Sequence, residues 1–237
     1  MKLICFPYAG ATSSVFLKWG KYSDGNLEII PLDPPGRGRR MAEPLCTTIH
    51  EAVEDLQQQV LETIGKGEEY AIYGHSLGCL LAYELLHQLG EKDVDMPVHV
   101  FLSGKNPPDT PVKEPLSDLD DRKFMKEIEK LGGTDARFFE NPTLVKVYLP
   151  ILRKDFKMLE SYVYQERQKP PVDASFFFSS GDRAVCTKHV KRWSDFISGN
   201  FNVYHFKGDH FFIFDHQEKI MNIIDDTLSK DYCMPAY

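Results

Sequence analysis

No run of this chain approaches the roughly 18 consecutive apolar residues of a membrane span. The short stretch Leu3-Ile4-Cys5-Phe6 has neither the length nor the cleavage site of a secretory leader. Together these absences lead to the expectation of a cytoplasmic protein with no membrane partner. A basic excess is missing as well: 28 Lys+Arg stand against 35 Asp+Glu, for a formal net charge of −7. General nucleic-acid binders present a basic face, so nucleic acid is not an expected partner. The five cysteines form no C-x-x-C pair and show no His/Cys ligand spacing, which predicts reduced thiols and no metal. Neither G-x-G-x-x-G nor a P-loop occurs, and no cofactor is expected.

What the chain does carry is alternation. Apolar runs at 2–6 and 27–32 read as buried strands, and Ile49, Val53, Leu56, Val60, Leu61 and Ile64 recur at helical spacing. Strand 70–73, helix 79–89, strands 98–102 and 174–178, a helix around 190–197, strand 201–206 and a final helix around 219–228 follow. This order predicts an α/β fold in which helices cover both faces of a mostly parallel sheet.

The rhythm changes between 105 and 169. Pro107, Pro108, Pro111 and Pro115 lead into two amphipathic helical patterns with no strand between them. In the first, Asp120 caps, Phe124, Ile128 and Leu131 form a stripe, and Gly132-Gly133 ends the helix. In the second, Asn141 caps, Pro142 takes the first turn, and Val145, Tyr148, Leu149, Leu152, Phe156 and Leu159 line up. Pro150 falls inside this helix and is expected to bend it. The predicted organisation is a core of residues 1–104 and 170–237 with a helical lid inserted at 105–169. Its stripes pack on the core and can also line an acyl channel. Residues 230–237 read as a loosely held tail.

Chemistry concentrates at Gly74-His75-Ser76-Leu77-Gly78, placed between a strand and a helix as a nucleophile elbow requires. The flanking glycines omit Cβ atoms where the reversing backbone would collide, leaving Ser76 exposed as the candidate nucleophile. A serine needs a base, and the base needs a carboxylate; in α/β-hydrolases they follow in the order Ser, Asp or Glu, His. Of His189, His205, His210 and His216, only His210 lies on a loop at the carboxyl end of a strand, where open α/β sheets place their sites. Asp182 ends strand 174–178 at the same sheet edge and is the first candidate for the acid; Asp155, inside the lid, is the second. The N–H groups of Leu77 and Ala9 are the expected oxyanion donors.

These residues and several others resemble a known family. Phe6-Pro7-Tyr8-Ala9-Gly10, Pro35-Gly36-Arg37-Gly38 with Glu43-Pro44, the Ser76 elbow, Leu131-Gly132-Gly133, Leu149-Pro150 with Arg153-Lys154-Asp155-Phe156, and Gly208-Asp209-His210-Phe211-Phe212 look like a type II thioesterase. The resemblance implies an α/β-hydrolase fold and a monomer. It also implies hydrolysis of acyl or aminoacyl thioesters held on the phosphopantetheine of acyl or peptidyl carrier proteins, which clears stalled or mis-primed nonribosomal peptide and polyketide synthases. Residue by residue, it carries over Ser76, His210, Ala9 and Leu77, with Asp182 as the acid.

Arg37, Arg39 and Arg40 make a basic cluster on an acidic chain, suited either to docking an anionic carrier or to a solvated turn. Rival readings are a medium-chain fatty acyl thioesterase or a small-molecule esterase of the same fold. A non-catalytic hydrolase-fold binding module is the rival of another class.

Overall fold

A computed structural model describes residues 1–92, 94–112, 114–132 and 139–229, so Gly133, Cys233 and the expected tail at 230–237 lie outside the described residues. Six strands, β1 (Lys2–Phe6), β2 (Glu28–Pro31), β3 (Tyr70–His75), β4 (His99–Ser103), β5 (Asp173–Ser179) and β6 (Phe201–Phe206), form one sheet. Its order is β2-β1-β3-β4-β5-β6, and every pairing is parallel.

Two cores follow from the period-2 geometry of a strand. Ile4, Phe6, Tyr70, Ile72, Val100 and Leu102 face one side, with helices α1 (Ile49–Thr63) and α2 (Leu77–Gly90) packed over them. Leu3, Cys5, Ala71, Tyr73 and Phe101 face the other, under Trp19 and the terminal helix Gln217–Leu228. Both faces are buried, which is why the strands read as unbroken apolar runs. Helix α1 starts where Thr48 accepts from the first-turn Glu51 N–H, while the Glu51 carboxylate accepts from the N–H of Thr47, just before the cap, at 2.7 Å.

The segment around 190–197 takes a tighter helical form than the other helices. The expected helix is there, as a 3-10 helix, Thr187–Phe196. Its buried residues Val190, Trp193 and Phe196 are spaced by three, which aligns them along one edge of a three-residue turn.

Between β4 and β5 lie the two expected helices, Asp121–Leu131 and Pro142–Ser161, capped by Asp120 and Asn141. Phe124, Ile128 and Leu149 form a separate small core between them. The Arg153 guanidinium lies 4.4 Å from the centre of the Phe124 ring. Four cysteines are described, all with free thiols; Cys5, Cys46 and Cys79 are buried and Cys186 is exposed. No described helix is long and apolar enough to cross a membrane.

Strand order fixes where chemistry can occur. The chain moves from β1 outward to β2 and then crosses back to β3, so β1 and β3 are neighbours whose onward connections diverge. That divergence opens a crevice at their carboxyl ends. The loop after β1 carries Ala9, and the turn after β3 carries Ser76.

Candidate active site

Ser76 has φ 55° and ψ −111°, and is the one non-glycine among the described residues with positive φ. Backbone of this kind is strained for an L side chain, and the surroundings must hold it. A Cβ on Gly74 would lie 2.1 Å from the Gly78 carbonyl oxygen, and one on Gly78 would lie 2.1 Å from the Phe6 carbonyl oxygen. Only hydrogen fits at either glycine. The Ser76 N–H donates to the Ser103 carbonyl at 2.9 Å, tying the elbow to the end of β4. Leu77 opens α2, so its N–H is a first-turn donor with no helical acceptor.

Asp182 and His210 arrive on the loops after β5 and β6. These loops touch along their backbones: a Cβ on Gly181 would lie 2.3 Å from the Gly208 carbonyl oxygen, and the Ser179 hydroxyl donates to that same carbonyl. His210 Nδ1 and Asp182 Oδ2 are 2.8 Å apart, and the second carboxylate oxygen accepts from the Ala184 N–H at 2.8 Å. Both side chains are nearly fully buried, His210 at 6% and Asp182 at 0% exposure. A carboxylate can only accept, so Nδ1 carries the proton and Nε2 is left basic. Ser76 and His210 line one cavity of about 240 Å³, together with Ala9 and an apolar wall that includes Leu152, Phe156 and Leu159. Among the described residues, no hydrogen bond yet joins Ser76 to His210.

His75 points away, as consecutive side chains at a sharp turn must. Its Nδ1 sits 2.8 Å from the Ser103 hydroxyl, its ring centre is 5.0 Å from that of His210, and burial pushes its pKa well below the ordinary histidine value. It is a neutral packing residue.

Asp155 and Arg37 behave differently from expectation. Asp155, the second candidate for the acid, does not meet His210: it binds Arg37 through two hydrogen bonds of 2.5 and 2.6 Å and accepts from the Gly10 N–H at 2.7 Å. Arg37 is 1% exposed and Asp155 0%, so Arg37 presents no charge to a docking protein. The positive charge of Arg37 is spent inside the molecule. Arg40 is likewise paired with Asp55 and Glu43, which leaves Arg39 as the exposed member. The buried pair instead clamps the loop of Ala9 and Gly10 to helix Pro142–Ser161. Breaking a buried pair strands a charge, so Arg37→Ala is expected to destabilise the fold by about 3–5 kcal/mol. Denaturant unfolding measures this directly.

A serine on a strained elbow, a histidine bonded to a buried aspartate and a parallel sheet with a crevice at its switch point make up the architecture of the α/β-hydrolase class. Residues 1–228 match the family model described as the thioesterase domain, and the chain belongs to that family: it is a hydrolase acting on thioesters. It is 31% identical over 230-odd residues to "Thioesterase PikA5" of Streptomyces venezuelae, covering 96% of this chain and 81% of that protein. To the medium-chain S-acyl fatty acid synthase thioesterase of Homo sapiens it is 32% identical, covering 94% and 85%. Among solved structures, ClbQ from the colibactin NRPS/PKS pathway superposes with a TM-score of 0.90 at 36% identity, covering 95% of each chain.

Sequence reasoning missed two features of the site. One is the Asp155 clamp, which has no local signal because its two partners lie 118 positions apart. The other is Lys105, which follows the carboxyl end of β4 and lines the same cavity as Ser76.

Proposed function

We propose that this chain is a stand-alone type II thioesterase that releases acyl and aminoacyl groups from the phosphopantetheine of carrier proteins serving nonribosomal peptide and polyketide synthases. The Asp182–His210 pair and the Ser76 elbow, opening on one small apolar cavity, carry this reading. His210 Nε2 takes the Ser76 proton as Oγ attacks the thioester carbonyl. The N–H groups of Ala9 and Leu77 receive the charge on the carbonyl oxygen. The C–S bond breaks, the thiol departs, and water activated by His210 hydrolyses the acyl-serine.

A thioester suits this arrangement because its thiolate leaves readily, so the rate rests on attack and oxyanion stabilisation. The cavity of about 240 Å³ lies below the usual range of roughly 300–1,000 Å³ for sites that enclose drug-sized ligands, which favours short acyl groups. Release from an acyl-carrier protein, set against a matched oxygen ester, tests the assignment. Faster turnover of the carrier thioester is the expected result. Preference for the ester would move the protein to the esterases, and no covalent labelling of Ser76 by a fluorophosphonate would remove it from the enzymes.

A further inference from the structure

Lys105 is a half-buried cation on the wall of a mostly apolar cavity. Gly104, at φ +64° and with no room for a Cβ beside His75, follows β4, and Lys105 after it lines the cavity containing Ser76. The Lys105 carbonyl accepts from Trp193 Nε1 at 2.9 Å, which fixes this backbone. Among the described residues, the ammonium makes no hydrogen bond and no ion pair. The arginines Arg37, Arg40, Arg153 and Arg167, by contrast, are all paired with carboxylates.

Two carboxylates also border the cavity, but neither neutralises Lys105. Glu160 is occupied by the N–H groups of Leu116 and Ser117, at 2.6 and 3.1 Å, and Glu114 is exposed. The remaining titratable neighbours are Tyr8, His210 and Cys79. Burial raises the pKa of the Cys79 thiol and of Tyr8, so both stay neutral near pH 7.

A positive charge left unpaired in apolar surroundings is costly unless a ligand brings its partner. We propose that Lys105 is a specificity residue that receives a carboxylate carried on the acyl chain, so that half-thioesters of dicarboxylic acids are preferred over plain alkanoyl thioesters of equal length. This rests on the thioesterase reading of the same cavity. Burial lowers the pKa of the ammonium, and the nearby Cys79 only partly counters this. The preference is therefore expected to fade as pH rises through a range below that of an ordinary lysine.

The experiment compares glutaryl with pentanoyl, and adipyl with hexanoyl, as N-acetylcysteamine thioesters. The quantity read is the ratio of kcat/KM within each pair, for the unaltered enzyme, Lys105→Met and Lys105→Gln. A ratio cancels the amount of folded enzyme, so partial misfolding of a variant does not disturb it. A charge-assisted hydrogen bond predicts that the ratio falls about 10- to 100-fold in both variants and loses its pH dependence. An unchanged ratio overturns the role of Lys105 alone. Failure to hydrolyse any of the four thioesters overturns the thioesterase reading and this proposal with it.

Discussion

Replacing Ser76 by alanine is expected to lower kcat for thioester release by about 10⁶-fold, the loss found when a serine nucleophile is removed from a working triad. What remains is the contribution of the oxyanion donors and of binding. Ser76→Gly is expected to abolish release equally, yet to raise stability by about 1 kcal/mol, because glycine accepts a positive φ without the strain that serine carries. Single-turnover release and thermal unfolding of both variants separate the two effects. Retained turnover in either variant would remove Ser76 from the mechanism. Destabilisation by glycine would mean that the elbow is held by contacts of the serine itself and is not a site of stored strain.

How far these features could be read in advance depended on how local their causes are. The strand, turn and helix around Ser76 were legible because the two glycines answer a clash within five residues. The caps at Asp120 and Asn141 were legible for the same reason, since capping is settled by side chains two or three positions from the helix start. Asp182 and His210 could be placed at one sheet edge because a parallel sheet puts every strand's carboxyl end on the same rim.

Arg37 failed this kind of reading. Its fate depends on Asp155, 118 positions away, and a charge cluster looks the same in sequence whether solvent or a buried carboxylate receives it. The helix at Thr187–Phe196 was legible as a helix, but its 3-10 form was not. Apolar positions three apart fit either helix type over so short a span, and only the packing of Trp193 and Phe196 against the core decides between them.

Asp182 and Asp155 were both candidates for the acid, and their contacts predict opposite experimental signatures. Asp182→Asn keeps the shape of the side chain but lets an amide donor face Nδ1, which favours the tautomer that cannot deprotonate Ser76. It is expected to cost about 10³- to 10⁴-fold in kcat, as in other triads, with KM and the unfolding midpoint little changed. Asp155→Asn leaves the triad intact and instead strands the Arg37 guanidinium in a site where neither partner meets solvent. Its main cost is expected in stability, about 3–5 kcal/mol, or roughly 6–20 °C in the unfolding midpoint for a domain of this size. Because Asp155 also holds the Gly10 N–H at 2.7 Å, a smaller loss of kcat should accompany it as the Ala9 donor loses its fixed position. A large kcat defect in Asp155→Asn at unchanged stability, with Asp182→Asn nearly as active as the parent, would transfer the acid role to Asp155. The 2.8 Å contact between Asp182 and His210 would then be structural.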